Sequence, residues 1–132
     1  MIKFTDDQEQ IVSLWRSVFS EDSREDVLFF LENGKNVNCL GFFEEQKLVS
    51  MLFLVDCRYC DLKGKYVYAV CTDEKFRNKG YSSCLIKEAK KYMNDFLWLI
   101  PAHKSLFDFY AKFGFETKLY SDKAYETGSY TH

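Results

Sequence analysis

From Asn38 to Thr72 the chain is rich in aromatic and branched residues, and on both sides of that block the apolar spacing is helical. A strand-forming centre framed by helical segments restricts the chain to architectures in which helices cover a sheet. Within the block, Asn38 to Glu44 and Lys47 to Asp61 read as strands joined by a hairpin turn at Glu45-Gln46. A second turn at Asp61-Leu62-Lys63-Gly64 leads into Lys65 to Thr72, so the three strands are expected to form an antiparallel meander.

Upstream, Thr5 followed by Gln8 has capping-box spacing, and Ile11, Leu14, Trp15, Val18 and Phe19 recur at helical intervals, which predicts a helix from about Asp6 to Phe19. A second helix is expected after Ser23, through Val27 to Leu31, stopping at Asn33-Gly34 with the glycine as a left-handed cap. Downstream, from Lys79, the residues Leu85, Ile86, Ala89, Tyr92 and Met93 line one helical face. Phe96 to Pro101 is a solid apolar run of strand length, Ser105 to Phe113 is a short amphipathic helix closed by Gly114, and Phe115 to Tyr120 resumes strand character. The order is β, α, α, β, β, β, α, β, α, β. It predicts one α/β (α+β) domain over residues 1–132, built on a single mixed, mostly antiparallel sheet flanked by helices.

Composition narrows the partners. A chain of 132 residues suits one domain, and 47% apolar with 18% aromatic residues argues against disorder. No apolar run approaches the roughly 18 residues of a membrane helix, so no membrane partner is expected. The opening Met1-Ile2-Lys3-Phe4-Thr5-Asp6-Asp7 turns acidic where an export leader would be apolar, which points to a cytoplasmic protein. A net charge of -2 supplies no field for a polyanion, and no nucleic-acid partner is expected. Five cysteines, mostly inside apolar runs, suit reduced, buried thiols. Cys57-Arg58-Tyr59-Cys60 has metal or redox spacing, but no second pair or histidine cluster completes a site, and no metal is expected.

The run Tyr68-Ala69-Val70-Cys71-Thr72-Asp73-Glu74-Lys75-Phe76-Arg77-Asn78-Lys79-Gly80-Tyr81-Ser82 is a strand, a polar loop and a helix start. Free N–H groups in a first helical turn converge on one spot, the helix dipole favours an anion there, and Gly80 lets the backbone come close. Lys75, Arg77 and Lys79 add positive charge. This is a place to hold a phosphate; an ordinary solvated loop closed by a glycine is the competing reading.

Arg77-x-x-Gly80-x-Ser82 after a strand resembles the (Arg/Gln)-x-x-Gly-x-(Gly/Ala) signature of the GNAT superfamily of acyl-CoA-dependent N-acyltransferases. Leu106-Phe107-Asp108-Phe109-Tyr110-Ala111-Lys112-Phe113-Gly114-Phe115 resembles that family's Phe-Tyr-x-x-x-Gly-Phe element. The stretch Ala69 to Ser82 also looks like the pattern of the branch related to enhanced-intracellular-survival acetyltransferases. Ser82 departs from the family's Gly or Ala, yet it is small and its hydroxyl can donate to a phosphate.

The resemblance implies a sheet that splays between Lys65–Thr72 and Phe96–Pro101, with acetyl-CoA as co-substrate in the wedge. It implies that backbone groups of Val70, Cys71 and Thr72 meet the pantetheine, and that the loop Arg77, Asn78, Lys79, Gly80, Tyr81, Ser82 and Ser83 meets the phosphates. Tyr110 stands where the family often places the tyrosine that protonates the departing thiolate, and His103 where relatives often carry a cofactor- or substrate-contacting Asn. The implied reaction is direct acetyl transfer to a primary amine, on a small molecule or a peptide.

A general base is less visible. Many relatives carry a carboxylate on the strand before the loop, whereas here Tyr66, Tyr68 and Cys71 stand there, Asp73 and Glu74 belong to the loop, and Asp56 lies on the preceding strand. That leaves three alternatives open: a base such as Asp56, a water chain, or a non-catalytic acyl-CoA-binding module. Few residues follow Phe115, which suits either an incomplete first domain of a larger acetyltransferase or a compact hairpin, Phe115 to Tyr120 with Tyr125 to Thr131, completed by a homodimer partner. Trp15, Asp22, Glu25, Asp26 and Phe29 suit a cationic amine, and equally suit ordinary core and surface.

Overall fold

A computed structural model describes residues 1–100, 106–117 and 129–131. β1 (Ile2–Thr5) is followed by α1 (Gln8–Val18) and α2 (Arg24–Asn33), then by the meander β2 (Val37–Glu44), β3 (Lys47–Tyr59) and β4 (Leu62–Thr72). A 3-10 turn at Glu74–Phe76 precedes α3 (Tyr81–Ala89), and β5 (Phe96–Leu99), α4 (Phe107–Ala111), β6 (Glu116–Thr117) and β7 (Ser129–Thr131) complete the order. The seven strands form one sheet in the order β1-β2-β3-β4-β5-β7-β6. Only β4 and β5 pair in parallel, the other neighbours being antiparallel. The expected mixed, mostly antiparallel sheet flanked by helices is therefore the fold, with β7 inserted between β5 and β6.

Strand alternation builds two cores. Cys39, Met51, Phe53 and Cys71 face one side and pack against Ile11, Val12, Leu14 and Trp15 of α1 and Val27 of α2. Leu40, Leu52, Leu54, Val67, Leu97 and Leu99 face the other and pack against Leu85, Ile86 and Ala89 of α3 and Tyr110 of α4. Each fully buried aliphatic or aromatic side chain contributes about 1.5–3 kcal/mol.

Local details differ from the sequence expectations. The cap of α1 is Asp7, whose side chain accepts from Gln10 N at 3.3 Å, while Thr5 ends β1 and its Oγ1 accepts from Asp7 N. The capping box sits instead on α2, between Ser23 and Asp26. Gly34 is not left-handed: its φ is -81°, and a Cβ there would meet Phe30 O and Val37 Cγ2 at 2.8 Å, so the site demands space rather than an unusual torsion. The turn after β3 is made by Cys60 and Asp61, Cys60 taking φ 55°, and Leu62 to Gly64 already belong to β4. Gly64 is small because the Phe96 ring covers it. α3 gives way to a 3-10 turn at Lys90–Tyr92, which leaves Tyr92 exposed with its ring edge-on to Phe4. The expected ends at Pro101, Ser105 and Tyr120, and the start at Tyr125, lie outside the described residues.

Candidate functional site

The parallel pairing of β4 with β5 runs from Gly64 opposite Phe96 to Val67 opposite Leu99 and stops there, although β4 continues to Thr72. On its other edge β4 stays paired with β3 as far as Thr72 opposite Ser50. The sheet therefore parts between Tyr68–Thr72 and β5, leaving backbone groups on that edge of β4 without a strand partner among the described residues. A register shift falls between Met51 and Phe53 of β3, opposite Ala69, which has φ 54°. The extra residue breaks strict alternation: Ala69 and Cys71 pack toward the α1 side, while Val67 and Val70 pack toward the α3 side.

The loop that follows is held from within. Asp73 N donates to Val49 O at 2.8 Å, and the Asp73 side chain accepts from Lys75 N, capping the 3-10 turn. Arg77 Nε donates back to Thr72 O, the last carbonyl of β4, at 3.3 Å. Asn78 and Gly80 both take left-handed torsions, with φ 65° and 80°, and Gly80 caps α3 without any side-chain hydrogen bond to the first turn. A helix start leaves its first N–H groups without intrahelical partners, so those of α3 stay available to an anion. No acid lies in that first turn, and a Cβ on Gly80 would meet nothing within 4 Å. Lys47 and Lys79 both approach the Phe76 ring beside the loop. Tyr81 turns its ring onto Phe42, with centroids 4.2 Å apart, and its hydroxyl donates to Glu44. What Tyr81 offers an anion is its backbone.

The parted strands and the loop share one cleft of about 1070 Å³. Its loop end is lined by Arg77, Asn78, Gly80, Tyr81 and Ser82, its middle by Val70, Cys71, Thr72 and Leu99, and its α4 wall by Leu106, Phe109 and Tyr110. Tyr110 is 7% exposed and its ring sits edge-on to Phe109 and Phe115. Burial holds its phenol above the ordinary value of 10, so the hydroxyl keeps its proton at neutral pH. The far end of the same cleft is lined by Trp15, Val18, Phe19 and Asp22 from the α1 side and by Tyr66 and Tyr68 from β4.

The other candidates are placed elsewhere. Asp56 pairs with Lys65 and does not line the cleft, so it is no base for this site. Asp73 is engaged as a cap and faces Lys47 at 3.8 Å. Cys71 is 4% exposed and burial pushes its thiol far up, which removes it as a nucleophile. The Cys57 thiol accepts from Trp98 Nε1 while Cys60 is exposed. Among the described residues no group of three or more His, Cys, Asp or Glu comes together around a metal position. No described helix is long and apolar enough to cross a membrane. His103 and His132 lie outside the described residues.

Two features escaped the sequence reading. The Ala69 bulge has no local signal, because alanine rarely takes a positive φ. The convergence of Trp15 and Asp22 on Tyr66 and Tyr68 is a product of tertiary packing.

The arrangement has counterparts among known structures. A structure described as histone acetyltransferase HPA2 and related acetyltransferase, from Corynebacterium glutamicum ATCC 13032, superposes with a TM-score of 0.79 at 15% identity, over 98% of this chain and 92% of that one. The paia N-acetyltransferase of Thermoplasma acidophilum, solved in complex with coenzyme A, superposes at 0.67 and 15% identity over 98% of both chains. A probable N-acyltransferase from Enterococcus faecalis V583 superposes at 0.70 and 17% identity over 89% of this chain, which spans only 32% of that longer protein. At such identities the likeness is one of fold. No curated protein matches the sequence. The family model for the acetyltransferase (GNAT) domain matches residues 3–118, nearly the whole chain, and with the parted sheet and the uncapped loop already in place this protein belongs to the GNAT acetyltransferase family.

Proposed function

We propose that this chain is an acetyl-CoA-dependent N-acetyltransferase that passes the acetyl group directly to a primary amine. The observation that carries the reading is the continuity of one cleft from the uncapped start of α3, past the unpaired edge of β4, to Tyr110. The N–H groups of the first turn of α3, with Arg77 nearby, suit a pyrophosphate. The unpaired edge near Val70 suits an extended amide chain, which would bind there as a strand does. A backbone N–H near Val70, aimed into the gap, would polarise the thioester carbonyl.

In the transfer a C–N bond forms as the C–S bond breaks, and the leaving sulfur needs a proton. Tyr110 supplies it. A thiol titrates near 8.5 in water and a phenol near 10, and the burial that raises the phenol raises a thiolate in the same wedge for the same reason. The amine arrives as an ammonium and loses its proton to water in the open part of the cleft.

Calorimetric titration with acetyl-CoA tests the reading, with desulpho-CoA and adenosine reporting which part of the cofactor is held. The expected result is micromolar affinity for acetyl-CoA and desulpho-CoA and none for adenosine. Adenosine binding as well as the full cofactor would remove the phosphate role from the loop, and no binding of any of the three would overturn the proposal.

A further inference from the structure

The two ends of the cleft carry opposite charge. At the loop end lie Arg77 and the positive end of α3, whereas at the α1 end Asp22 is the only acid among the described lining residues. Asp22 is a built feature. Its backbone N donates to Phe19 O at the end of α1 at 3.2 Å, and its Oδ2 accepts from the indole Nε1 of Trp15 at 2.8 Å. Arg16, the nearby cation, donates to the Asp22 backbone carbonyl.

Around Asp22 the walls are aromatic. Trp15 lies 6.0 Å from Tyr68, Tyr68 lies 5.8 Å from Tyr66, and Tyr66 is backed by Trp98 at 4.4 Å. Tyr68 stays 37% exposed although rings pack on it from two sides, so its outer surface is offered to the cleft. A single carboxylate among ring surfaces is chemistry for one positive charge on an apolar body: the ion pair and cation–π attraction place the ammonium, and the rings take the rest by area. A polyamine or an aminoglycoside would leave its further ammonium groups against apolar walls.

Resting on the acetyltransferase reading above, we infer that the α1 end of the cleft binds a monocationic amine with a flat apolar body, an arylalkylamine in chemical class, and that Asp22 receives its ammonium on entry, the same nitrogen then giving its proton to water and attacking the thioester as the free amine. The specificity follows from the one acid and the ring walls.

The test titrates the protein with 2-phenylethylamine by calorimetry, with and without desulpho-CoA, and compares initial acetylation rates of 2-phenylethylamine, spermidine and kanamycin at saturating acetyl-CoA. The expected result is binding and turnover of 2-phenylethylamine, with kcat/KM at least about tenfold above the other two. Asp22→Asn keeps an oxygen for the Trp15 indole, so it preserves the fold while removing the charge. It should raise the Kd or KM for the amine by about tenfold or more and leave the Kd for acetyl-CoA unchanged. Preference for spermidine or kanamycin, or unchanged amine affinity in Asp22→Asn, overturns the inference and leaves the acetyltransferase reading standing. Binding of 2-phenylethylamine that depends on Asp22, in a protein that does not bind acetyl-CoA, supports the amine site and overturns the acetyltransferase reading instead.

Discussion

Ser50, with no exposed surface, holds its Oγ 2.8 Å from Oγ1 of Thr72. Because Ser50 donates to Cys71 O, the Thr72 hydroxyl is the donor of that pair, and Thr72 O in turn accepts from Arg77 Nε. The chain of contacts ties the last residues of β4, where they leave β5, to the middle of the sheet and to the loop beyond. A strand edge without a neighbour needs such an anchor if it is to stay extended.

Replacing Ser50 with Ala removes both bonds at once. The expected loss of stability is about 1–3 kcal/mol, since Cys71 O is left buried without this partner. Acetyl-CoA affinity should weaken several-fold as the end of β4 loosens. Urea denaturation and calorimetry read the two effects separately, and an unchanged affinity would show that the anchor serves the fold alone.

Tyr110→Phe keeps the ring against Phe109 and Phe115 and deletes only the hydroxyl. Turnover should fall by about a hundredfold, a typical contribution of a positioned acid, with little change in the Kd for acetyl-CoA. The raised phenol also sets the pH behaviour: the acid form persists past pH 10, so the alkaline fall in kcat attributable to this group lies above 10. Equal turnover in wild type and variant would take Tyr110 out of the reaction.

At Gly80 two substitutions separate strain from charge. With φ at 80°, Gly80→Ala costs about 1–2 kcal/mol of stability, yet its Cβ enters open space and acetyl-CoA binding should survive. Gly80→Glu places a carboxylate at the start of α3 and should weaken acetyl-CoA binding by at least about a hundredfold. Similar affinities in the two variants would argue that no phosphate approaches this turn.

Burial pushes the Cys39 thiol from 9.0 up to about 12, and Cys71 is shifted in the same direction. The folded protein therefore favours the neutral thiol, while the unfolded chain ionises near pH 9. This contribution to stability is complete below about pH 9 and is lost as pH rises toward 12, every tenfold tightening of the thiol's hold on its proton being worth about 1.4 kcal/mol. The urea midpoint should drop between pH about 9 and about 12, and the drop should be shallower in Cys39→Val. Parallel curves would assign the alkaline loss to other groups.

The sequence by itself determined the succession of elements and the loop, because both are written in local terms. The helical spacing of Ile11, Leu14 and Trp15, the paired turn residues Glu45 and Gln46, and Gly80 at the start of α3 each act within a few residues. Their readings survive whatever the rest of the chain does. Where a local signal misplaced a boundary, as Thr5 did for the cap of α1 and Gly64 for the turn after β3, packing decided: Thr5 was drawn into pairing with Cys39, and Gly64 was required beneath Phe96.

Only the tertiary structure produced the cleft. The bulge at Ala69 exists because β3 and β4 pair in two registers on either side of it, and the gap beside it exists because β5 ends at Leu99 while β4 runs on to Thr72. Asp22 shares one cleft with Tyr66 and Tyr68 because α1 and α2 are laid across that face of the sheet by the burial of Trp15, Phe30 and Phe53 against one another. Register and approach depend on residues far apart in the chain, and no local period encodes them.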